Sequence, residues 1–128
     1  MTEHDVSPIF DGIDIVNTIA RRGETDAAEE FLTNVSPRVT ARYERYFARL
    51  RDGHHLKSPE HMAHIKQVRD PHDKGAEVHE LKVHMDGGYR LYVVRFEGRW
   101  YATHGVRKGS DRAVPKEARK AFAIFWGD

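Results

Sequence analysis

The clearest pattern along the chain is an alternation of apolar and polar positions that begins near residue 78. In VHELKVHM (78–85), Leu81 and Val83 lie on one side, and Glu80 and Lys82 lie on the other. DGG is a turn signal, and YRLYVVRF (89–96) is apolar on both faces, as expected of a central strand. A second turn, EG, precedes RWYATHGV (99–106). The pattern predicts a three-stranded antiparallel meander.

A period of three to four residues marks helices on both sides of the meander. Ser36 and Pro37 suit the N-cap and first turn of a helix over 36–51, which Gly53 ends. Its apolar stripe is Val39, Tyr43, Tyr46, Phe47 and Leu50. A short helix, DAAEEFL, capped by Thr25, should pair with it in antiparallel fashion. Pro115 should open a terminal helix, PKEARKAFAIFW, that packs on the sheet.

The remaining segments are less regular. Residues 9–20 are rich in Ile and Val and indicate an opening strand, with residues 1–23 as an N-terminal extension. SPEHMAHIKQV suits a helix of about two turns after a Ser58 cap, and RDPHDKG indicates an exposed loop. The prediction is one α+β domain over residues 1–128, with a small antiparallel sheet packed against two N-terminal helices and a C-terminal helix.

Composition excludes several classes of protein. The chain has no cysteine, which removes disulfides, thiolate metal sites and cysteine nucleophiles. There is no run of 18 apolar residues and no basic, apolar N-terminal signal, so we expect a cytoplasmic protein with no membrane partner. Motifs for phosphate-binding loops, dinucleotide binding, serine hydrolases and HExxH zinc enzymes are also missing.

The net charge of +1 conceals an uneven distribution. Residues 1–35 contain two Lys/Arg against eight Asp/Glu, whereas residues 74–128 contain eleven against seven. An acidic N-terminal segment followed by a basic remainder indicates a surface that can bind phosphates. The excess of Lys and Arg is nevertheless smaller than in dedicated nucleic-acid-binding domains.

Basic residues on the meander are the first candidates for chemistry. Lys82 and Arg90 lie on adjacent strands, and Arg107 and Lys108 follow the third strand. If these four converge, they could bind a phosphodiester and stabilise charge developing on it. Ordinary surface cations are the alternative at this stage.

Histidines could transfer protons near neutral pH, although each one alone also suits a structural role. His104 is best placed, three residues before the basic pair, and Glu80 is a possible base on the first strand. His61 and His64 would share a face of the predicted helix, but no acid stands nearby as a third ligand. The sequence therefore predicts neither a metal nor a cofactor, and we interpret His54, His55, His61 and His64 as a solvated surface.

Taken together, residues 24–123 resemble the RelE/HigB superfamily of bacterial type II toxins, and more closely its phage-derived HigB-like branch. The resemblance lies in the order of Glu80-Leu81-Lys82, Tyr89-Arg90, the HGVRK segment (104–108) and the PKEA segment that opens the last helix. It implies a small sheet packed on two N-terminal helices.

The resemblance implies a ribosome-dependent endoribonuclease that cleaves mRNA and inhibits translation. It assigns Lys82, Arg90, Arg107 and Lys108 to the basic active face and matches His104 to a family histidine. The implied partners are mRNA, the ribosome and a cognate antitoxin, a helix-turn-helix protein.

The sequence departs from the family in two places. The C-terminal tyrosine of many members is missing from KAFAIFWGD, and Glu80 stands where RelE has a lysine. These departures keep two alternatives open. One is a non-catalytic, ParE-like toxin that poisons DNA gyrase, and the other is a phage-encoded interaction protein on the same scaffold.

Overall fold

A computed structural model describes residues 4–8, 16–21 and 24–128. The strands are β1 (His4–Pro8), β2 (Val16–Arg21), β3 (Met62–His64), β4 (Glu77–Val83), β5 (Tyr89–Phe96) and β6 (Arg99–Arg107). The helices are α1 (Ala27–Asn34), α2 (Pro37–Arg51) and α3 (Val114–Trp126), with a 3₁₀ turn at Asp111–Ala113. The predicted α+β class is confirmed.

The strands form one sheet in the order β1-β2-β6-β5-β4-β3. The predicted meander is its centre, and Lys82 lies directly opposite Arg90 in the β4–β5 register. β2 joins the sheet through a parallel pairing with β6, whereas the other pairings are antiparallel. The opening strand predicted over 9–20 is confirmed at Val16–Ala20, and residues 9–15 lie outside the described residues.

The helices α1 and α2 cover one face of the sheet. Ser36 caps α2, and the whole predicted apolar stripe of α2 is buried. It packs against sheet residues such as Leu81, Leu91 and Ala102. The Tyr46 hydroxyl also donates a hydrogen bond of 2.8 Å to the Lys82 carbonyl, which ties α2 to β4. The Tyr43 hydroxyl donates a second one, of 3.3 Å, to the Leu81 carbonyl. Apolar burial therefore holds the helices on the sheet, and these two hydrogen bonds fix the position of α2 along β4.

The helix α3 covers the opposite face. Ala118, Phe122 and Phe125 are buried as predicted, and they pack with Val78, Tyr92 and Val94. The sheet thus lies between two helical layers, each with its own apolar core. Among the residues that the structure describes, no helix is long and apolar enough to span a membrane.

Two local predictions are wrong. The helix predicted after Ser58 is replaced by a turn and the short edge strand β3, which pairs with β4 through Met62↔Leu81 and His64↔His79. Pairing with a neighbouring strand overrides the local helix signal here. The cap of α1 is Asp26, whose side chain accepts a 3.0 Å hydrogen bond from the Glu29 N–H, and not Thr25.

Candidate functional site

A cluster of charged side chains lies on the α3 face of β4 and β5. Because strand side chains alternate between faces, Glu80, Lys82, Arg90 and Tyr92 all share the face that carries Val78 and Val94. Glu80 is central: its Oε1 lies 3.6 Å from Lys82 Nζ and 3.8 Å from Arg90 Nη1, and its Oε2 accepts a 3.2 Å hydrogen bond from the Tyr92 hydroxyl. The register brings together three of the residues predicted for the site.

The cluster is largely shielded from solvent. The Lys82 and Arg90 side chains are 17% and 13% exposed, and Glu80 is buried beside them. Arg90 Nη1 is buried and has no hydrogen-bond partner among the described residues, since Glu80 is too distant for one. A buried guanidinium donor without a partner is costly, and an anionic oxygen would satisfy it.

His104 and Glu117 form a close hydrogen-bonded pair on the same face. His104 lies opposite Tyr92 in register, its ring stacks on the Tyr92 ring at 5.1 Å, and its Nε2 lies 2.7 Å from Glu117 Oε2 of α3. Its Nδ1 lies 3.1 Å from the Thr103 hydroxyl oxygen. Burial lowers the pKa of His104 from its ordinary value, while the Glu117 carboxylate acts in the opposite direction. Burial therefore favours a neutral His104, and Glu117, whose side chain is 19% exposed, is the member of the pair that reaches the surface.

Arg107 and Lys108 lie at the end of β6, outside the buried cluster. The Arg107 guanidinium sits over the Tyr89 ring at 5.1 Å, donates a 3.2 Å hydrogen bond to the Tyr89 hydroxyl and donates another to the Asp86 carbonyl. Lys108 is exposed, and its backbone N–H donates to the Gly88 carbonyl at 2.9 Å. The four cations predicted for the site, Lys82, Arg90, Arg107 and Lys108, therefore do not form one continuous surface.

A cavity of about 160 Å³ is lined by some of the residues described above. Arg90, Tyr92, Arg107 and Glu117 line it, together with the loop that leads into α3. Lys82, Lys108 and Glu80 are not among its lining residues. The cavity is smaller than the roughly 300–1,000 Å³ typical of drug-sized ligands, so it suits a single small group such as a phosphate.

Sequence reasoning missed Tyr92 and Glu117, which line the cavity beside Arg90. Tyr92 lies opposite Glu80 in the β4–β5 register, so a correct alignment of the two predicted strands would have found it. Glu117 occupies the first turn of α3. Its contact with His104 depends on how that helix packs, which no local pattern reveals.

The family profile described as phage-derived protein Gp49-like (DUF891) matches residues 30–125. The match covers well over half of the chain, including every residue of the charged cluster and of the cavity. The chain therefore belongs to the Gp49-like family of phage-derived proteins. This family is part of the RelE/HigB-like toxin superfamily, so the resemblance seen in the sequence is confirmed at that level. No curated protein and no solved structure gave a significant match.

Proposed function

We propose that the protein is the toxin component of a type II toxin–antitoxin system, an endoribonuclease that cleaves mRNA on the ribosome and inhibits translation. Membership of a commonly toxin-like family supports the toxin assignment. One observation carries the enzymatic part. Arg90 and Arg107 both line a phosphate-sized cavity, together with Glu117.

The reaction would be attack of a ribose 2′-hydroxyl on the neighbouring phosphate, which leaves a cyclic phosphate and a free 5′-hydroxyl. The attacking hydroxyl must lose a proton, and the departing 5′-oxygen must gain one, from the protonated base or from water. The crowded phosphorane must be stabilised by donors already in place. Arg90 and Arg107 would supply those donors. Two carboxylates, Asp111 and Glu117, line the cavity, and Glu117 is the proposed base because His104 holds it in place. His104, only 2% exposed, would act by holding Glu117 and not by touching RNA.

In this proposal, Glu80 and Lys82 have supporting roles. Glu80 lies between the two cations of β4 and β5 and accepts from Tyr92, so it fixes the charge environment of Arg90. Lys108 is exposed next to Arg107 in sequence and would contact the RNA backbone outside the cavity.

The test is induction of the chain without an antitoxin, followed by growth measurement and mapping of new mRNA 5′ ends. We expect growth arrest with cuts in translated mRNA, and loss of both effects in the double variant Arg107→Gln/Lys108→Gln. The matched control is Arg99→Gln/Lys66→Gln, which removes two exposed cations that do not line the cavity. Equal toxicity in both double variants would overturn the assigned site.

A cognate antitoxin of the helix-turn-helix class is the proposed partner. It would neutralise the toxin by covering the cavity mouth near Arg107. Coexpression should restore growth, and the two chains should copurify. The Arg107→Gln/Lys108→Gln variant should bind the antitoxin more weakly if the cavity mouth is the shared surface.

The burial of Lys82 and Arg90 favours one second candidate, a non-catalytic ParE-like toxin. Both cations are already paired with Glu80, so less of their charge is available to RNA than an open basic face would offer. Intact mRNA together with gyrase-dependent DNA damage after induction would select this candidate over the nuclease.

A further inference from the structure

Three side chains of metal-binding type meet on β3 and β4, away from the cavity. His64 lies directly opposite His79, and Glu77 lies two residues before His79 on the same face of β4. Their donor atoms all lie within 4.8 Å of one another. The pairing of His61 with His64, considered from helical spacing, does not occur, because His61 stacks instead on Tyr46 at 5.3 Å.

His79 is the unusual member of this group. Its side chain is only 9% exposed, and neither ring nitrogen has a hydrogen-bond partner among the described residues. Glu77 Oε1 lies 3.5 Å from Nε2, but the pair does not have the geometry of a hydrogen bond. The ring is held between His64, stacked at 4.6 Å, and the edge of Trp100 at 5.1 Å. Packing alone leaves two buried polar atoms unsatisfied, which natural structures rarely tolerate without a bound group.

The donor set has a recognisable chemistry. Two imidazole nitrogens and one carboxylate oxygen are ligands that Zn²⁺ prefers, and three such ligands leave a fourth position for water. In tetrahedral zinc sites, bonds of about 2.0–2.1 Å place ligand atoms roughly 3.3 Å apart. Side-chain rotation would close the observed spacing to that value.

We propose that His64, Glu77 and His79 bind a zinc-type divalent cation that fastens the edge strand β3 to β4. β3 is only three residues long, so a metal bridge would add a second attachment to its few ladder hydrogen bonds. The site is separate from the proposed nuclease site, because His79 and Glu80 are neighbours on β4 and point to opposite faces.

Arg95 offers a variant with an effect on metal binding opposite to that of the ligand variants. It lies opposite Glu77 in the β4–β5 register, and its guanidinium is held over the Trp100 ring at 5.4 Å. Its positive charge opposes a bound cation, whereas Glu77 favours one. Arg95→Gln should therefore tighten metal binding, the opposite of the effect of Glu77→Gln.

The experiment is titration of the full chain, without a polyhistidine tag, with ZnCl₂ by calorimetry, and with CoCl₂ by visible spectroscopy. We expect one ion per chain, a rise in Tm that a chelator reverses, and Co²⁺ absorption bands of a low-coordinate site. His64→Gln and Glu77→Gln should each weaken binding at least tenfold. Both side chains are only partly buried, so these variants should fold.

The matched control is His55→Gln, in the same histidine-rich region but on an exposed side chain. It should leave affinity and stoichiometry unchanged. Weak binding of several ions that falls equally in His55→Gln and His64→Gln would overturn the proposal, as would the failure of Zn²⁺ to bind or to shift the Tm of the folded chain. None of these readouts depends on ribonuclease activity.

Discussion

Lys82 lies directly opposite Arg90 across the β4–β5 pair, with both side chains mostly buried beneath α3. Two like charges in direct cross-strand contact repel each other, and the repulsion grows as water is removed. The Glu80 carboxylate between them is what makes this arrangement tolerable. Glu80 therefore compensates both cations from within, and only Arg90, which lines the cavity, can also meet an external anion.

The first prediction concerns that internal anion. Glu80→Gln removes the charge shared by two buried cations and should lower the free energy of unfolding by about 1–3 kcal/mol. Urea denaturation measures the change. Glu60→Gln is the control, since Glu60 pairs with Lys57 at an exposed site and its loss should have no measurable effect. An unchanged unfolding midpoint in Glu80→Gln would show that the cations do not need Glu80.

The second prediction concerns the protonation of His104. Because burial lowers its pKa in the folded state, the unfolded chain binds a proton more readily below the ordinary value of 6.5. Stability is therefore greatest above 6.5 and is lost progressively as pH falls toward the folded pKa. Two-dimensional NMR of the imidazole ring should show His104 titrating below 6.5.

A variant of Glu117 tests the cause of the shift in the pKa of His104. Glu117→Gln removes the carboxylate that raises the pKa of His104, so the variant should titrate at still lower pH. A His104 that titrates above 6.5, or a Glu117→Gln variant that titrates higher than the parent, would contradict the proposed neutral state.

The third prediction concerns the contact between α1 and β6. A Cβ added to Gly105 would overlap the ring of Phe31, so Gly105→Ala should destabilise the fold by about 1–3 kcal/mol. Gly109→Ala is the matched control, because nothing lies near its Cβ position. Thermal unfolding compares the two. Adding Phe31→Ala should remove part of the penalty through non-additivity, and strict additivity would argue against the overlap.

The fourth prediction concerns Asp70, in the loop between β3 and β4. Its carboxylate accepts hydrogen bonds from the backbone N–H groups of His72, Lys74 and Ala76 and from the Trp126 indole. Burial acts to raise the pKa of Asp70, but these donors outweigh it and hold the pKa below its ordinary value of 3.8. The stability that Asp70 contributes is present above 3.8 and is lost as pH falls through the folded pKa.

Asp70→Asn replaces one acceptor oxygen by a donor and should cost about 1–3 kcal/mol at neutral pH. It should also flatten the acid limb of the stability curve. The control is Asp73→Asn, in the same loop but exposed, which should change neither quantity. Parallel acid limbs for Asp70→Asn and the parent chain would contradict the assignment.

The meander and its flanking helices α2 and α3 could be predicted because each has a local signal. The alternation around Leu81 and the stripe around Tyr43 reflect burial of one face, and burial is what stabilises these elements. The edge strand β3 could not be predicted in this way. Its three residues lie in a segment that suits a helix locally, and only pairing with β4 decides the outcome.

The candidate site could likewise be predicted only where a local signal, the register of two adjacent strands, brings its residues together. Glu80, Lys82 and Arg90 converge because a short turn fixes the register of their strands. Glu117 and the His64–Glu77–His79 group depend on the packing of α3 and on the presence of β3, so no spacing along the sequence reveals them. Arg107 lines the cavity, whereas Lys108, the next residue, lies beyond the end of β6 and does not.

The parallel pairing of β2 with β6 links the order of synthesis to the order of folding. Val16 pairs opposite Trp100, so the N-terminal strands have no place in the sheet until β6 has left the ribosome. The meander contains only local pairings and can form as its own strands emerge, whereas β1 and β2 must wait for β6, the last of the six described strands in chain order. The two strands translated before the other four are thus the last that the sheet can accept.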